Sequence, residues 1–188
     1  MKVEHFDIDG LCLITPRVFE DDRGYFYESF NKNTWESNHL PSTFVQDNQS
    51  FSTYGTLRGL HFQLGQHAQA KLVRVVRGEA LDVAVDIRED SSTFGKYISV
   101  ILNDSNHKQL YIPRGFAHGF LALSDQVLLQ YKCDNFYHKD SEGSIRFDDP
   151  ELKIDWGIDL QNINLSSKDN EARTFAQAKE SYDLSHWS

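Results

Sequence analysis

Along most of this chain apolar residues recur at every second position in short runs, and Gly, Pro, Asn and Asp separate the runs. That period of two is the signature of half-buried strands. The clearest case spans Lys71 to Arg88. Lys71-Leu72-Val73-Arg74-Val75-Val76 leads in, Arg77-Gly78 turns, and Glu79 to Arg88 leads out, which predicts a hairpin. In the outgoing run Leu81, Val83, Val85 and Ile87 share one face, and Ala80, Asp82, Ala84 and Asp86 share the other. Lys71 has the parity of Val73 and Val75, so it stands at the end of a face that otherwise reads as core. A Lys there either snorkels from the strand end or is paired or used, because an isolated buried charge is costly. Val127, Leu129, Tyr131 and Cys133 likewise share a face, which sends the Tyr131 hydroxyl where three apolar side chains point. A phenol so placed needs a partner or a task.

The remaining runs extend the pattern. Leu11–Thr15 reads as a strand ended by Pro16, and Asp21-Asp22-Arg23-Gly24 as a turn before the aromatic run Tyr25–Phe30. A short helix is expected over Asn33–Ser37, and a strand dense in amides over Phe44–Ser50, either an exposed edge or a hydrogen-bonding row. Tyr97–Leu102, then Gln109–Ile112 and Phe116–Leu123 around the corner Pro113-Arg114-Gly115, read as strands, as does the short segment Glu142–Phe147. Ile154-Asp155-Trp156 is expected to pack on the body; Leu165–Asp169 resembles a helix entry, and Glu171–Tyr182 reads as a helix. Many short strands, turns between them and few helices predict a mostly β fold, a jelly-roll barrel or sandwich with a few short peripheral helices, in one domain over residues 1–188.

Composition narrows the function. A net charge of −9 argues against a nucleic-acid binder held by phosphate neutralisation. It leaves room for a small anionic ligand, because a few cations focused in a cleft prevail locally. The two cysteines, Cys12 and Cys133, lie in no metal-binding spacing. The charged start, Met1-Lys2-Val3-Glu4, has no signal-peptide character, and no apolar run approaches the ~18 residues of a membrane helix. A soluble cytoplasmic protein is expected.

The chemistry concentrates in Gly55-Thr56-Leu57-Arg58-Gly59-Leu60-His61-Phe62-Gln63. Arg58 brings a fork of donors suited to phosphate or carboxylate, and His61 a group able to move a proton near neutrality. Strict alternation puts them on opposite faces, but Gly59 between them is a common site for a bulge, so their relative orientation stays open. No His-x-His pair accompanies His61 or His118, so no metal is expected.

Four segments together, Arg58–Gln63, Lys71–Arg74, Gly78–Arg88 and Ile112–Phe120, resemble the dTDP-4-dehydrorhamnose 3,5-epimerase family, and the likeness runs from about Phe6 to Asp169. The resemblance implies a cupin-type jelly roll with no metal or cofactor. It also implies a nucleotide-linked 4-keto-6-deoxyhexose substrate epimerised at C3 and C5. By that resemblance His61 is the base, Asp169 its orienting carboxylate, Lys71 the stabiliser of the enolate oxygen and Tyr131 the acid across the ring. Arg58 faces the diphosphate, Arg23 anchors the nucleotide, and Phe26, Glu28, Gln46 and Asn48 line the thymidine end. His118, Tyr137, Glu142 and Lys168 are further pocket residues. A homodimer is implied, with the strands of residues 1–50 at its interface and the Arg23–Glu28 segment serving the neighbouring subunit. Rival readings are an epimerase acting at C3 or C5 alone, and a non-catalytic nucleotide-sugar-binding cupin. The last predicts loss of His61, Lys71 or Asp169, and all three are present.

Overall fold

A computed structural model describes residues 1–187. In chain order the strands are β1 (Lys2–His5), β2 (Cys12–Thr15), β3 (Phe19–Asp21) and β4 (Gly24–Phe26), and the helix α1 (Lys32–Ser37) follows. Next come β5 (Gln46–Ser52), β6 (Leu57–Gln63), β7 (Lys71–Arg77), β8 (Glu79–Asp86), β9 (Tyr97–Asn103) and β10 (Gln109–Ile112). The chain continues through β11 (Phe116–Ala122), β12 (Val127–Cys133) and β13 (Glu142–Ser144), and ends in α2 (Ser167–Asn170) and α3 (Phe175–Ser181). A six-stranded sheet, ordered β1-β2-β10-β7-β12-β5, faces a five-stranded sheet, ordered β13-β6-β11-β8-β9. All of their pairings are antiparallel. This is the expected mostly β, cupin-like jelly roll.

Three apolar layers hold it. Between the sheets lie Val73, Val75, Leu129, Ala80, Ala84, Phe116 and Phe120, all buried. Behind the five-stranded sheet Phe62, Val83, Val85 and Leu121 pack on Trp156, Phe175 and Leu184 of the C-terminal segment. Trp156 is anchored there by its indole N–H, which donates to the Phe147 carbonyl at 2.9 Å. The third layer, Cys12, Ile14, Leu72 and Tyr111, is covered by Trp35 of α1. Both faces of β8 are therefore largely buried, so Asp82 and Asp86 on its Ala-Asp-Ala-Asp face need partners, which His118 and Arg88 supply.

The expected hairpin over Lys71–Arg88 is a correction. Both strands form, but β7 pairs with β10 and β12, and β8 with β9 and β11, so they belong to opposite sheets. A single linking residue cannot make the two-residue loop a tight hairpin needs. Gly78 instead turns the chain from one sheet to the other at φ +81, where a Cβ would lie 2.2 Å from the Gln126 carbonyl oxygen. The aromatic strand after the first turn stops at Phe26 rather than Phe30. The last helix starts at Phe175 rather than Glu171, because the Arg173 carbonyl accepts from Arg146 N–H at 2.8 Å and Thr174 forms a capping box with Gln177.

Candidate active site

The site is set by the pairing of β6 with β11. His61 stands opposite His118, and Arg58 opposite Phe120, so β6 advances three residues while β11 advances two. That extra residue is a bulge. Gly59 sits in it at φ +135, where a Cβ would come within 2.5 Å of the Gly119 Cα. The bulge settles the orientation that alternation left open: Arg58 and His61 line the same cavity.

His61 meets Asp169, which comes from 108 residues away, with Nε2 to Oδ1 at 2.5 Å. Asp169 is presented by α2, whose N-cap Ser166 takes the Asp169 N–H at 3.1 Å and donates its hydroxyl to Oδ2 at 2.7 Å. Burial works to raise the Asp169 carboxyl, but the hydrogen bonds from His61 and Ser166 outweigh it and hold the pKa below the ordinary range. An ionised carboxylate only accepts, so Nε2 of His61 carries the proton and Nδ1 is left as the basic nitrogen.

Lys71 does point inward, as its parity predicts, with Nζ 5.8 Å from the centre of the Tyr131 ring. Burial pushes its ammonium below the usual lysine value, and Cys133, Asp82 and Glu142 only partly oppose this. Tyr131 is on β12, the strand hydrogen-bonded beside β7, and burial raises its phenol, which keeps the proton on at neutral pH. His61, Lys71 and Tyr131 are common to two adjoining lobes of one cleft, about 340 and 280 Å³. The first lobe adds Arg58, His118, Lys168 and Asp169; the second adds Gln46, Asn48, Tyr137 and Glu142. The amide-rich strand β5 is both of the things it could have been: it is the edge of its sheet, and its Gln46 and Asn48 face inward. Glu142 forms an ion pair with Lys168 and accepts from the Tyr137 hydroxyl at 3.2 Å, linking the lobes across the cleft mouth.

Arg23, Phe26 and Glu28 are not brought to this cleft. Arg23 and Phe26 lie on the exposed β3–β4 hairpin, Arg23 held by Asp21 at 2.6 Å, and Glu28 accepts from the Asn31 side chain at 2.8 Å. Sequence reasoning passed over Asp82. It is fully buried on β8, with its carboxylate 3.0 Å from Nε2 of His118. The signal was available, since an acid flanked by Ala80 and Ala84 on one face of a strand requires a partner if that face is buried. Among the described residues no group of three or more His, Cys, Asp or Glu could hold a metal ion.

The family model for dTDP-4-dehydrorhamnose 3,5-epimerase matches residues 5–177. A curated relative of that name from Escherichia coli is 49% identical over 177 residues, 93% of this chain and 94% of its own. The crystal structure of the dTDP-4-dehydrorhamnose 3,5-epimerase from Elizabethkingia anophelis superposes with a TM-score of 0.89 at 52% identity, covering 94% of this chain and 97% of that one. A Legionella pneumophila structure, a dTDP-6-deoxy-D-glucose-3,5-epimerase in complex with dTDP-4-keto-L-rhamnose, superposes at 0.88 with 47% identity and covers 92% of both chains.

Proposed function

The chain belongs to the dTDP-4-dehydrorhamnose 3,5-epimerase family, and from that premise we propose which of its residues carry the reaction. The enzyme is an isomerase that inverts C3 and C5 of dTDP-4-dehydro-6-deoxy-D-glucose, giving dTDP-4-dehydro-L-rhamnose. Both carbons flank the 4-keto group, so each loses a proton to give an enolate and regains one on the other face. His61 is the base: Nδ1 takes the carbon-bound proton, and the Asp169 carboxylate supports the imidazolium that forms. Lys71 stabilises the charge that develops on O4, an interaction that strengthens only as the enolate forms. Tyr131, still protonated, returns a proton from the opposite side, and exchange with water resets both groups. No electrons are transferred.

Arg58 holds the diphosphate, and Gln46 and Asn48, with Tyr137, Glu142, His118 and Lys168, shape the pocket around the nucleotide-sugar. Arg23, Phe26 and Glu28 serve the thymidine end of a second copy's site in a homodimer; their distance from this chain's own cleft supports that reading. The chain acts as one catalytic domain, since His61 and Asp169 meet in one site although 108 residues separate them. No helix among the described residues is long and apolar enough to cross a membrane. Its two cysteines are buried and unpaired, which supports a reducing, cytoplasmic setting.

The observation that carries the assignment is the 2.5 Å His61–Asp169 contact inside a cleft that also holds Lys71 and Tyr131. Proton NMR of dTDP-4-keto-6-deoxyglucose in deuterated water tests it. Deuterium is expected at both C3 and C5 with the native protein and at neither with His61→Ala. Unimpaired exchange in His61→Ala removes His61 as the base, and label at one carbon only makes this chain a mono-epimerase.

A further inference from the structure

The inward row of β5 is Gln46, Asn48, Ser50 and Ser52. Three of the four have partners within the chain. Gln46 donates to Asn48 at 3.1 Å and accepts from Tyr137 N–H at 3.1 Å. Asn48 donates to Cys133 Sγ at 3.7 Å, and Ser52 accepts from Arg58 Nε at 3.1 Å. Ser50 has none. Its Oγ is shielded from solvent and is, among the described residues, the one buried side-chain nitrogen or oxygen without a hydrogen-bond partner. Its strand neighbour is Leu129, and Phe120 shares the cleft wall with it, so nothing apolar about the position calls for a hydroxyl. Buried hydroxyls are ordinarily bonded, and an exception requires an explanation.

The register says what could supply one. Along β5, Asn48 is paired with Tyr131, the proposed acid, while Ser52 holds Arg58, the proposed diphosphate ligand. Ser50 lies between them, one side-chain repeat of about 7 Å from each. It therefore borders the junction where the hexose joins the diphosphate. Resting on the family reading above, we infer that Ser50 is a substrate-positioning residue. Rotation about its χ1 turns the hydroxyl into the cleft, where it donates to the phosphoryl oxygens adjacent to the sugar. Staggered wells 120° apart make that rotation a side-chain event with no backbone movement. A hydroxyl without a partner in the free enzyme gains one only in the complex, so its contribution appears in binding rather than in folding.

The test uses Ser50→Ala and Ser50→Thr in the full chain, with dTDP and dTMP as probes. In Ser50→Ala the affinity for dTDP is expected to fall roughly tenfold, the loss typical of a hydrogen bond to a charged group. The affinity for dTMP, which lacks the second phosphoryl group, stays unchanged. KM for the keto-sugar nucleotide rises by the same factor with kcat held, the mark of binding that is equal in ground and transition states. Ser50→Thr keeps the hydroxyl and retains dTDP binding. The melting temperature of the free Ser50→Ala protein stays level or rises, because an unpaired buried group has been removed. Unchanged dTDP affinity, an equal loss for dTMP, or a lowered melting temperature each overturns the proposal. Failure of the native chain to bind dTDP would count against the family reading instead.

Discussion

Two histidines face each other across β6 and β11, and each has its Nε2 on a buried aspartate. The pairs are alike in chemistry and differ in access. The His61 side chain is 30% exposed, and its partner comes from α2, at the far end of the chain. The His118 side chain is 7% exposed, and its partner Asp82 lies diagonally across the adjacent strand β8. Burial pushes the His118 imidazole below the usual histidine value against the opposing pull of Asp82, with the nearby Lys71 and His61 pushing the same way as burial. His118 is thus held neutral, a fixed donor and acceptor in the cleft wall. His61 meets the cleft and has a carboxylate held ionised to receive its positive charge. On the proposed reading the same two side chains move a proton in one setting and keep a wall in shape in the other, and what distinguishes them in the structure is solvent access.

The sharpest way to break this comparison is to remove each imidazole. His61→Ala is expected to lower kcat about 1000-fold, within the span assigned to positioned acid–base groups. Asp169→Asn, which keeps the ring but loses control of its tautomer, is expected to lower kcat on the order of 100-fold. Steady-state kinetics with the keto-sugar nucleotide checks both, alongside melting curves to show that the variants fold. If His118→Ala loses more turnover than His61→Ala while remaining folded, the two roles are exchanged.

Much of this contrast was legible in the chain, and the rest had a physical reason for being hidden. Period-two parity alone turned Lys71 and Tyr131 inward, and both line the cleft. Parity left Arg58 and His61 open because Gly59 signals a bulge without fixing it, and only the pairing register of β6 with β11 puts both on one face. It failed at Gly78, where local pattern cannot tell a hairpin from a chain that changes sheets. Asp169 was out of reach of spacing and came only through family likeness, since its contact with His61 spans 108 residues. Asp82 was visible as an acid on a buried face but had no identifiable partner until β8 and β11 were paired.

The second test compares the aspartates in stability. Asp82→Ala leaves a buried imidazole N–H with no acceptor, which costs about 1–3 kcal/mol. For a domain of this size that lowers the melting temperature by roughly 2–4 °C per kcal/mol. Asp169→Ala is expected to cost less in stability and more in turnover, because water reaches the partly exposed His61 and replaces the lost acceptor. Calorimetry of the two variants checks the order. A larger stability loss at Asp169 would mean that the His61 pair, too, is mainly structural.

The smallest effect, and the most discriminating, is in pH. His118 has a folded pKa below its unfolded value near 6.5, so the unfolded chain binds the extra proton first. Its contribution to stability is complete above about pH 6.5 and is lost as pH falls toward the depressed folded value. Asp169 is also depressed, from an unfolded value near 3.9, so its contribution is complete above about pH 4 and is lost only below that. Each group bends the stability curve by at most roughly 1.4 kcal/mol per pH unit inside its own window. Urea unfolding between pH 3 and 8 should therefore show a decline beginning near neutrality that is reduced in His118→Asn, and a further one below about pH 4 that is reduced in Asp169→Asn. If His118→Asn leaves the limb between pH 5 and 6.5 as steep as in the native protein, His118 is not held neutral, and burial does not separate the two pairs.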